Sequence, residues 1–333
     1  MTPFVSVIVA TRNRETLLVR TLEALAAQSW PADRCEVIVA DNGSTDGTRN
    51  AVDLAARRRS VGAVRYLYVA QPGKSHAVNG ALSLARGDVL AFTDDDVQPA
   101  PDWLAQLARV FENPDVDFAA GRILPDWEEL PPQWMSPALF GVLAIPDGGA
   151  RRLPIRLGVN DHVMPIGANM AVRASVVRRI GGLRGDLGKL EGTLRTGEDH
   201  EFFLRLLHTG HGGVYEPAAV VSHHVPRARL HRSYFRKWLF QNGQDVARLE
   251  QTYRHTGKRL LAVPGYLWSD AARAARDTAR AAIAGDSAAR FAATVRLIWI
   301  AGYMRERWLG TRRSATAAQI GTMAAHAVRT GQG

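Results

Sequence analysis

Three consecutive carboxylates stand where an apolar run stops. Val89-Leu90-Ala91-Phe92 is followed, after Thr93, by Asp94-Asp95-Asp96. The run has the length and composition of a short buried strand. Ligands of open α/β sheets bind beyond the carboxyl ends of the strands. Three adjacent Asp placed there repel one another, and a cation would relieve the repulsion. Hard oxygen donors suit Mg²⁺ or Mn²⁺, and Mg²⁺ commonly bridges a carboxylate to substrate phosphates. The plain alternative is a solvated acidic turn.

A second acidic pair, Glu198-Asp199, precedes Phe202, Phe203, Leu206 and Leu207. That spacing predicts a helix, with Gly210 as its C-cap. Carboxylates at a helix N-terminus are held ionised by the helix dipole, and a positioned ionised carboxylate is a suitable general base. Simple capping would use the same residue types. His223 and His224 end the β-rich stretch 220–225, where a neutral imidazole could complete a metal site or serve a structural role. Asp41 closes another apolar run, and Lys74 follows Pro72-Gly73. A carboxylate beyond a strand can accept hydrogen bonds from a base or a ribose, and an ammonium can pair with phosphate. Together these residues describe a site for a nucleoside diphosphate with a metal.

The elements that must position them alternate. Strands are predicted at 5–10, 37–40, 64–70, 89–92 and 116–120. Helices are predicted after Asn13, which would act as a cap with Leu18, Leu22 and Leu25 on one face, and also after the turn-rich 41–48 loop, at 77–85 and around 103–111. Strand, loop and helix in this order mean an α/β fold with a mostly parallel sheet and helices on both faces. Neither a G-x-G-x-x-G turn nor a Walker A sequence follows the first strand. Residues 122–165 read as a long irregular segment carrying Trp127, Trp134 and Phe140, with a turn at Asp147-Gly148-Gly149. Such a segment is either a lid that stacks on sugar or local packing.

The 333 residues suffice for a full core. A single Cys, Cys35, excludes an internal disulfide framework and a Cys-based metal site. The 4–10 stretch is expected to be a strand rather than a signal peptide, and no apolar run reaches the ~20 residues of a membrane span. The formal charge of +10 is uneven: residues 226–333 hold 19 Lys and Arg against 6 Asp and Glu. This third reads as an Ala-rich helical extension, with Arg273, Arg276 and Arg280 along one face and fraying expected from Thr311. The segment 291–308 mixes Leu297, Ile298, Trp299, Ile300, Tyr303 and Trp308 with Arg290, Arg296, Arg305 and Arg307, which suits a helix lying in a membrane interface. A helical extension packed on protein is the alternative.

The segments 5–14, 36–48, 73–79, 87–96, 167–173, 197–206 and 215–223 occur in the order seen in the family 2 glycosyltransferases, which this chain resembles. The resemblance implies the GT-A fold over residues 1–225, with a nucleotide half at about 1–121, an acceptor half at about 122–225, and 226–333 as a basic helical extension. It implies that Thr11 and Asp41 contact base and ribose, and that Lys74 lies near the diphosphate. Arg14, Asp94 and Asp95 join them as nucleotide-binding residues. Asp94 and Asp96 would form the family's D-x-D pair, with Asp96 and Asp94 binding a divalent cation, Mg²⁺ or Mn²⁺, and His223 completing its shell. Asp199 falls on the catalytic base and Glu198 on its acidic neighbour. Ala10 and Val78 depart from the Pro and Arg frequent in relatives. Tyr234-Phe235-Arg236-Lys237-Trp238 lacks the Q-x-x-R-W of the processive synthases, so transfer of one sugar per encounter is expected. The expected activity is inverting transfer from a nucleoside-diphosphate sugar, a UDP-sugar foremost, to a glycan or lipid-linked acceptor in cell-surface polysaccharide or glycoconjugate assembly. The expected location is cytoplasmic, with a peripheral contact at the inner membrane face through 226–310; nucleic acid is a disfavoured partner. A sugar nucleotidyltransferase and a non-catalytic binding protein are the alternatives.

Overall fold

The computed structural model describes residues 2–58, 62–146, 148–188, 194, 196–253 and 258–310. The expected fraying from Thr311, and Asp147 of the expected turn, lie outside the described residues. The chain divides into two compact units at Phe235/Arg236.

In the first unit, β1 (Val5–Thr11), β2 (Cys35–Asp41), β3 (Ala63–Tyr68) and β4 (Val89–Asp94) alternate with α1 (Glu15–Ala26), α2 (Thr48–Arg58) and α3 (Lys74–Leu84). They continue through β5 (Val97–Pro99), α4 (Trp103–Val110), β6 (Phe118–Trp127), β7 (Leu153–Ile155), β8 (Met170–Arg173), α5 (Ala174–Ile180), α6 (Glu198–His208) and β9 (Gly213–Val225). The sheet runs β3-β2-β1-β4-β8-β6-β9-β5, with β7 paired to β9. Its β3-β2-β1-β4 half is parallel. Beyond β4 the sheet is mixed: β8 is antiparallel to β4 and β6, and β6 is parallel to β9. This is the mixed, mostly parallel α/β sheet that the strand and helix alternation predicts.

Period-two alternation splits the strands between two cores. Ile8, Ile38, Leu90 and Phe92 pack with Ala77, Val78 and Ala81 of α3 and with Phe202, Phe203, Leu206 and Leu207 of α6. Val7, Val9, Val37, Val39 and Ala91 are equally buried at the alternate positions, so both faces are covered. At the opposite end of the strands from the triple Asp, fully buried Glu36 accepts hydrogen bonds from Ser6 Oγ (2.7 Å), Arg65 (3.1 Å) and the Arg86 amide (2.9 Å). A satisfied buried carboxylate there pins three elements together and leaves the other end open for chemistry.

Four local expectations change. Asn13 does not cap α1. It adopts φ 52° and its Oδ1 accepts from the Thr45 amide (2.7 Å), so it ties the first loop to the second, and Arg14 occupies the cap position. Lys74 is the first residue of α3 rather than part of a loop. The segment expected to be irregular from 122 starts as the second half of β6, because β9 is long enough, at 13 residues, to pair with it as far as Trp127↔Val225. Finally, the second unit is not helical throughout. Between α7 (Arg232–Thr252) and α8 (Gly265–Ile283) lies a hairpin of β10 (Arg259–Leu260) and β11 (Val263–Pro264), and α9 (Ser287–Leu309) follows.

The middle of α9 faces protein, while Trp308 and Leu309 at its end are exposed. Ile300 and Tyr303 are buried in a cluster with Ala247, Val263 and Leu267, with Trp299 packed against it. Of the residues expected at a membrane interface, Ile300 and Tyr303 are covered by α7 and α8 instead. No helix among the described residues is long and apolar enough to cross a membrane.

Candidate active site

The parallel strands deliver their carboxyl ends to one edge. Register pairs Thr11 with Asp41 and Ala10 with Asp94, so Thr11, Asp41 and the triple Asp share that edge. The antiparallel pairing of β5 with β9 sets Val97 opposite His223, which brings the histidine beside Asp96. Two residues of opposite sequence halves thus meet through one strand register.

The chain surrounds the three Asp with cations of its own. Arg14 Nη1 donates to Asp95 Oδ1 and to Asp96 Oδ2, both at 2.8 Å. Lys74 Nζ lies 2.6 Å from Asp94 Oδ1, and Arg229 Nη2 is 3.7 Å from Asp96 Oδ2. His223 Nε2 is 3.3 Å from Asp96 Oδ1. Burial would raise the Asp96 carboxyl, but the hydrogen bond and charge of His223, with Arg14 and Arg229, outweigh it and hold the group well below the usual range. Asp95 goes the other way. Burial and the charges of Asp96 and Asp94 push it up to about 6 against the pull of Arg14 and a hydrogen bond from Thr11. Thr11 Oγ1 donates to Asp95 Oδ2 at 2.8 Å. Both residues are buried, so in this state they brace the strand ends. Asp94 keeps about a fifth of its side chain exposed and is the open member of the three.

Asp41 is satisfied on both oxygens: Ser44 N–H donates to Oδ1 and Tyr66 O–H to Oδ2, each at 2.8 Å. Burial and the neighbouring carboxylate push the Tyr66 phenol up to about 12.

Glu198 and Asp199 open α6, whose orientation is fixed from within. Fully buried Glu201 pairs with Arg205 (2.9 Å), and Arg205 Nη2 donates to the Gly182 carbonyl (2.7 Å) just past α5. Asp199 Oδ2 accepts from the Gly167 amide (2.9 Å), and a Cβ at Gly167 would crowd the same carboxylate at 3.1 Å. Among the described residues Glu198 Oε2 is buried with no hydrogen-bond partner. Burial and the Asp199 charge push Glu198 up to about 7, and burial raises Asp199 as well, against the charge of Lys74 and the Gly167 hydrogen bond. Burial alone would lower the Lys74 ammonium; Asp94, Asp199 and Glu198 together raise it. Lys74 therefore couples the triple Asp to the acidic pair.

Among the described residues no three His, Cys, Asp or Glu are already grouped around a metal position. The donor set still fits a hard divalent cation: two carboxylates and one imidazole. His223 Nδ1 is buried without a hydrogen-bond partner, a polar atom at the strand ends that an ion or its water would satisfy.

Sequence reasoning did not find Arg229, Tyr66, Gly167 or Asn169. Asn169 Oδ1 accepts from Trp103 Nε1 (2.8 Å), and its Nδ2 donates to the carbonyls of Arg122 (2.9 Å) and Ala219 (2.8 Å). It thereby holds the register shift at Gly121/Arg122 that sets the rest of β9. Its signal was the buried-strand context of 167–173. Arg229 lay in a basic run assigned to the extension.

The model of the family described as Glycosyl transferase family 2 matches residues 6–181, more than half of the chain. The "Pre-mycofactocin glycosyltransferase" of Mycobacterium tuberculosis is 28% identical over 235 residues, which are 71% of this chain and 44% of that protein. Glycosyltransferase AglE of Haloferax volcanii is 34% identical over 125 residues, 36% of this chain and 40% of its own length. The chain thus spans less than half of these relatives. Among solved structures, the Pyrobaculum calidifontis mannosyltransferase PcManGT in complex with GDP-Man and Mn²⁺ aligns with a TM-score of 0.58 at 23% identity, covering 98% of this chain and 81% of that one. TarS residues 1–349 of S. aureus with UDP gives 0.51 at 16% identity, over 90% of this chain and 89% of that one. At these identities the two structures establish the shared GT-A fold. From the family match and the fold together, the chain belongs to glycosyl transferase family 2.

Proposed function

We propose that the first unit carries an inverting, metal-dependent transfer of a sugar from a nucleoside-diphosphate sugar to a hydroxyl of a glycan or lipid-linked acceptor. The observation that carries this reading is the arrangement on one sheet edge of Asp94–Asp96 with His223, linked by Lys74 to Glu198 and Asp199. Asp96, Asp94 and His223 would hold Mg²⁺ or Mn²⁺, which when bound supplies Lewis-acid stabilisation of the departing diphosphate. Lys74 pairs with a phosphate oxygen as a point charge. Asp41 and Thr11, at adjacent strand ends, orient the nucleoside.

Asp199 accepts the proton of the acceptor hydroxyl as that oxygen forms its bond to the anomeric carbon. The bond from that carbon to the phosphate oxygen breaks on the opposite face, and the electron pair leaves with the nucleoside diphosphate. A carboxyl whose proton affinity is raised by burial is a better base for this step than an ordinary surface Asp. The Gly167 amide holds one oxygen of Asp199 and so aims the other. Glu198, kept partly protonated near neutral pH, limits the negative charge beside the base.

A UDP-sugar is the foremost donor, in a role in cell-surface polysaccharide or glycoconjugate assembly. The basic second unit would give a peripheral contact at the inner membrane face. The test is Asp199→Asn. Turnover should fall by roughly 10²–10⁴, while thermal stabilisation by UDP, GDP or dTDP with Mn²⁺ stays as in the parent. Near-normal turnover in the Asn protein would remove Asp199 from the role of base.

A further inference from the structure

The hairpin between α7 and α8 combines features that a water-exposed turn does not require. Its two turn residues, Leu261 and Ala262, have φ of 51° and 65°, a left-handed conformation that Gly or Asn would adopt at lower cost. Leu260 and Leu261 are nevertheless 60% and 67% exposed. Tyr266, Trp308 and Leu309 beside them are also exposed. Trp308 is placed there by its Nε1, which donates to the Leu261 carbonyl at 2.8 Å.

The polar backbone of the tip is satisfied from within. Trp268 Nε1 donates to the Leu260 carbonyl (3.2 Å), Trp308 Nε1 to that of Leu261 (2.8 Å) and Arg307 Nε to that of Ala262 (3.2 Å). A turn that stays in water gains little from three such donors. A turn that leaves water needs them, since an unpartnered carbonyl in hydrocarbon costs several kcal/mol. The charges around the tip are cationic: Lys258 and Arg259 enter the hairpin, Arg307 touches it, and exposed Arg305 lies one helical turn before Trp308 and Leu309. Of the acids on the neighbouring helices, Glu306 pairs with Arg248 (2.7 Å), Asp270 with Arg296, and Glu250 accepts from the Tyr303 hydroxyl.

We propose that the 259–264 hairpin, with Trp308 and Leu309, is a wedge that enters the interface of an anionic lipid bilayer, its cationic rim resting on the headgroups. An apolar tip with satisfied carbonyls, amphipathic Trp and Tyr flanks, and Lys and Arg at the edge match the chemistry of that interface. The inference deepens the peripheral-membrane part of the proposed function and does not depend on the transfer chemistry.

The test uses the full chain and vesicles of equal parts phosphatidylglycerol and phosphatidylcholine. The double variant Leu260→Ser/Leu261→Asn removes both apolar side chains, and Asn suits the left-handed turn position. Expected is co-sedimentation of the parent protein, with weaker binding to pure phosphatidylcholine, and a loss of about tenfold or more in the variant at unchanged melting temperature. Equal binding by the variant overturns the wedge while leaving membrane contact standing. No binding by the parent protein overturns both, and transfer to a soluble acceptor would be unaffected. A concentration-dependent dimer that the variant dissolves would assign the patch to a second copy and overturn the proposal.

Discussion

Glu198→Gln should make the protein more stable at pH 8 and leave it nearly unchanged at pH 4.5. Glu198 Oε2 is buried without a partner, and burial with the Asp199 charge moves the carboxyl from 4.5 to about 7. Between those values the unfolded chain has lost the proton and the folded chain still holds it. Folding therefore binds protons in this window, and raising pH through it removes stability. The full displacement corresponds to about 3 kcal/mol above pH 7, a cost that the neutral, nearly isosteric Gln does not carry. For a unit of this size that is on the order of 6–12 °C in melting temperature. The assay is thermal or urea unfolding of both proteins in chelator-treated buffer from pH 4.5 to 8.5, read as the difference between them. Asp95, also displaced upward, cancels in that difference. Equal stability at both ends of the range, or a loss at pH 8, would refute the claim that an ionised Glu198 strains the site.

Other perturbations test separate parts of the argument. Arg205→Met removes the ion pair of buried Glu201 and releases the Gly182 carbonyl; unfolding in urea should show a loss of about 3–5 kcal/mol, the range for breaking a buried pair. Arg14→Met removes the cation shared by Asp95 and Asp96. The melting temperature without metal should fall, and the increment produced by Mn²⁺ should grow, because the ion then supplies the missing charge. Gly302→Ala places a Cβ 2.1 Å from the Phe240 carbonyl oxygen, so α7 and α9 must separate. A loss of roughly 1–3 kcal/mol, the range for overpacking, should appear in the unfolding of the second unit.

The placement of the candidate site residues was legible because strand ends are legible. Val89–Phe92 running into three Asp reads as a buried strand opening onto a polar edge rather than a solvated turn, and β4 ends at Asp94 with Asp95 and Asp96 buried. Glu198 and Asp199 were equally readable, since Phe202, Phe203, Leu206 and Leu207 fix the helix and its start. Pairing across distance was not legible. Nothing local to Arg14 or Arg229 says that both reach Asp96, because that depends on how β1 pairs with β4 and on where β9 ends. The same holds for α9. Its mixture of aromatics and Arg fits a lipid interface as well as a helix against α7 and α8, and only burial assigns Ile300 and Tyr303 to the protein side. The hairpin between α7 and α8 was hidden for a different reason: two-residue turns announce themselves through Gly or Asn, and here Leu261 and Ala262 take those positions.

The register shift between Gly121 and Arg122 has a consequence for how this chain can vary in length. On β9 the pairing steps from Glu216 to Val220 while β6 advances by one residue, and Asn169 fills the gap from the side. Downstream of that point, His223 must present the face of β9 that meets Asp96. Loss or gain of a single codon between Ala219 and His223 would turn the imidazole to the other face of the sheet; a loss would put His224 in its place and a gain Ser222. Libraries of single-residue deletions should therefore show a sharp contrast. The connections after β6 and around β7 should tolerate length changes, while the interval 220–222 should tolerate substitution at half-buried Val220 and Ser222 and no change in length.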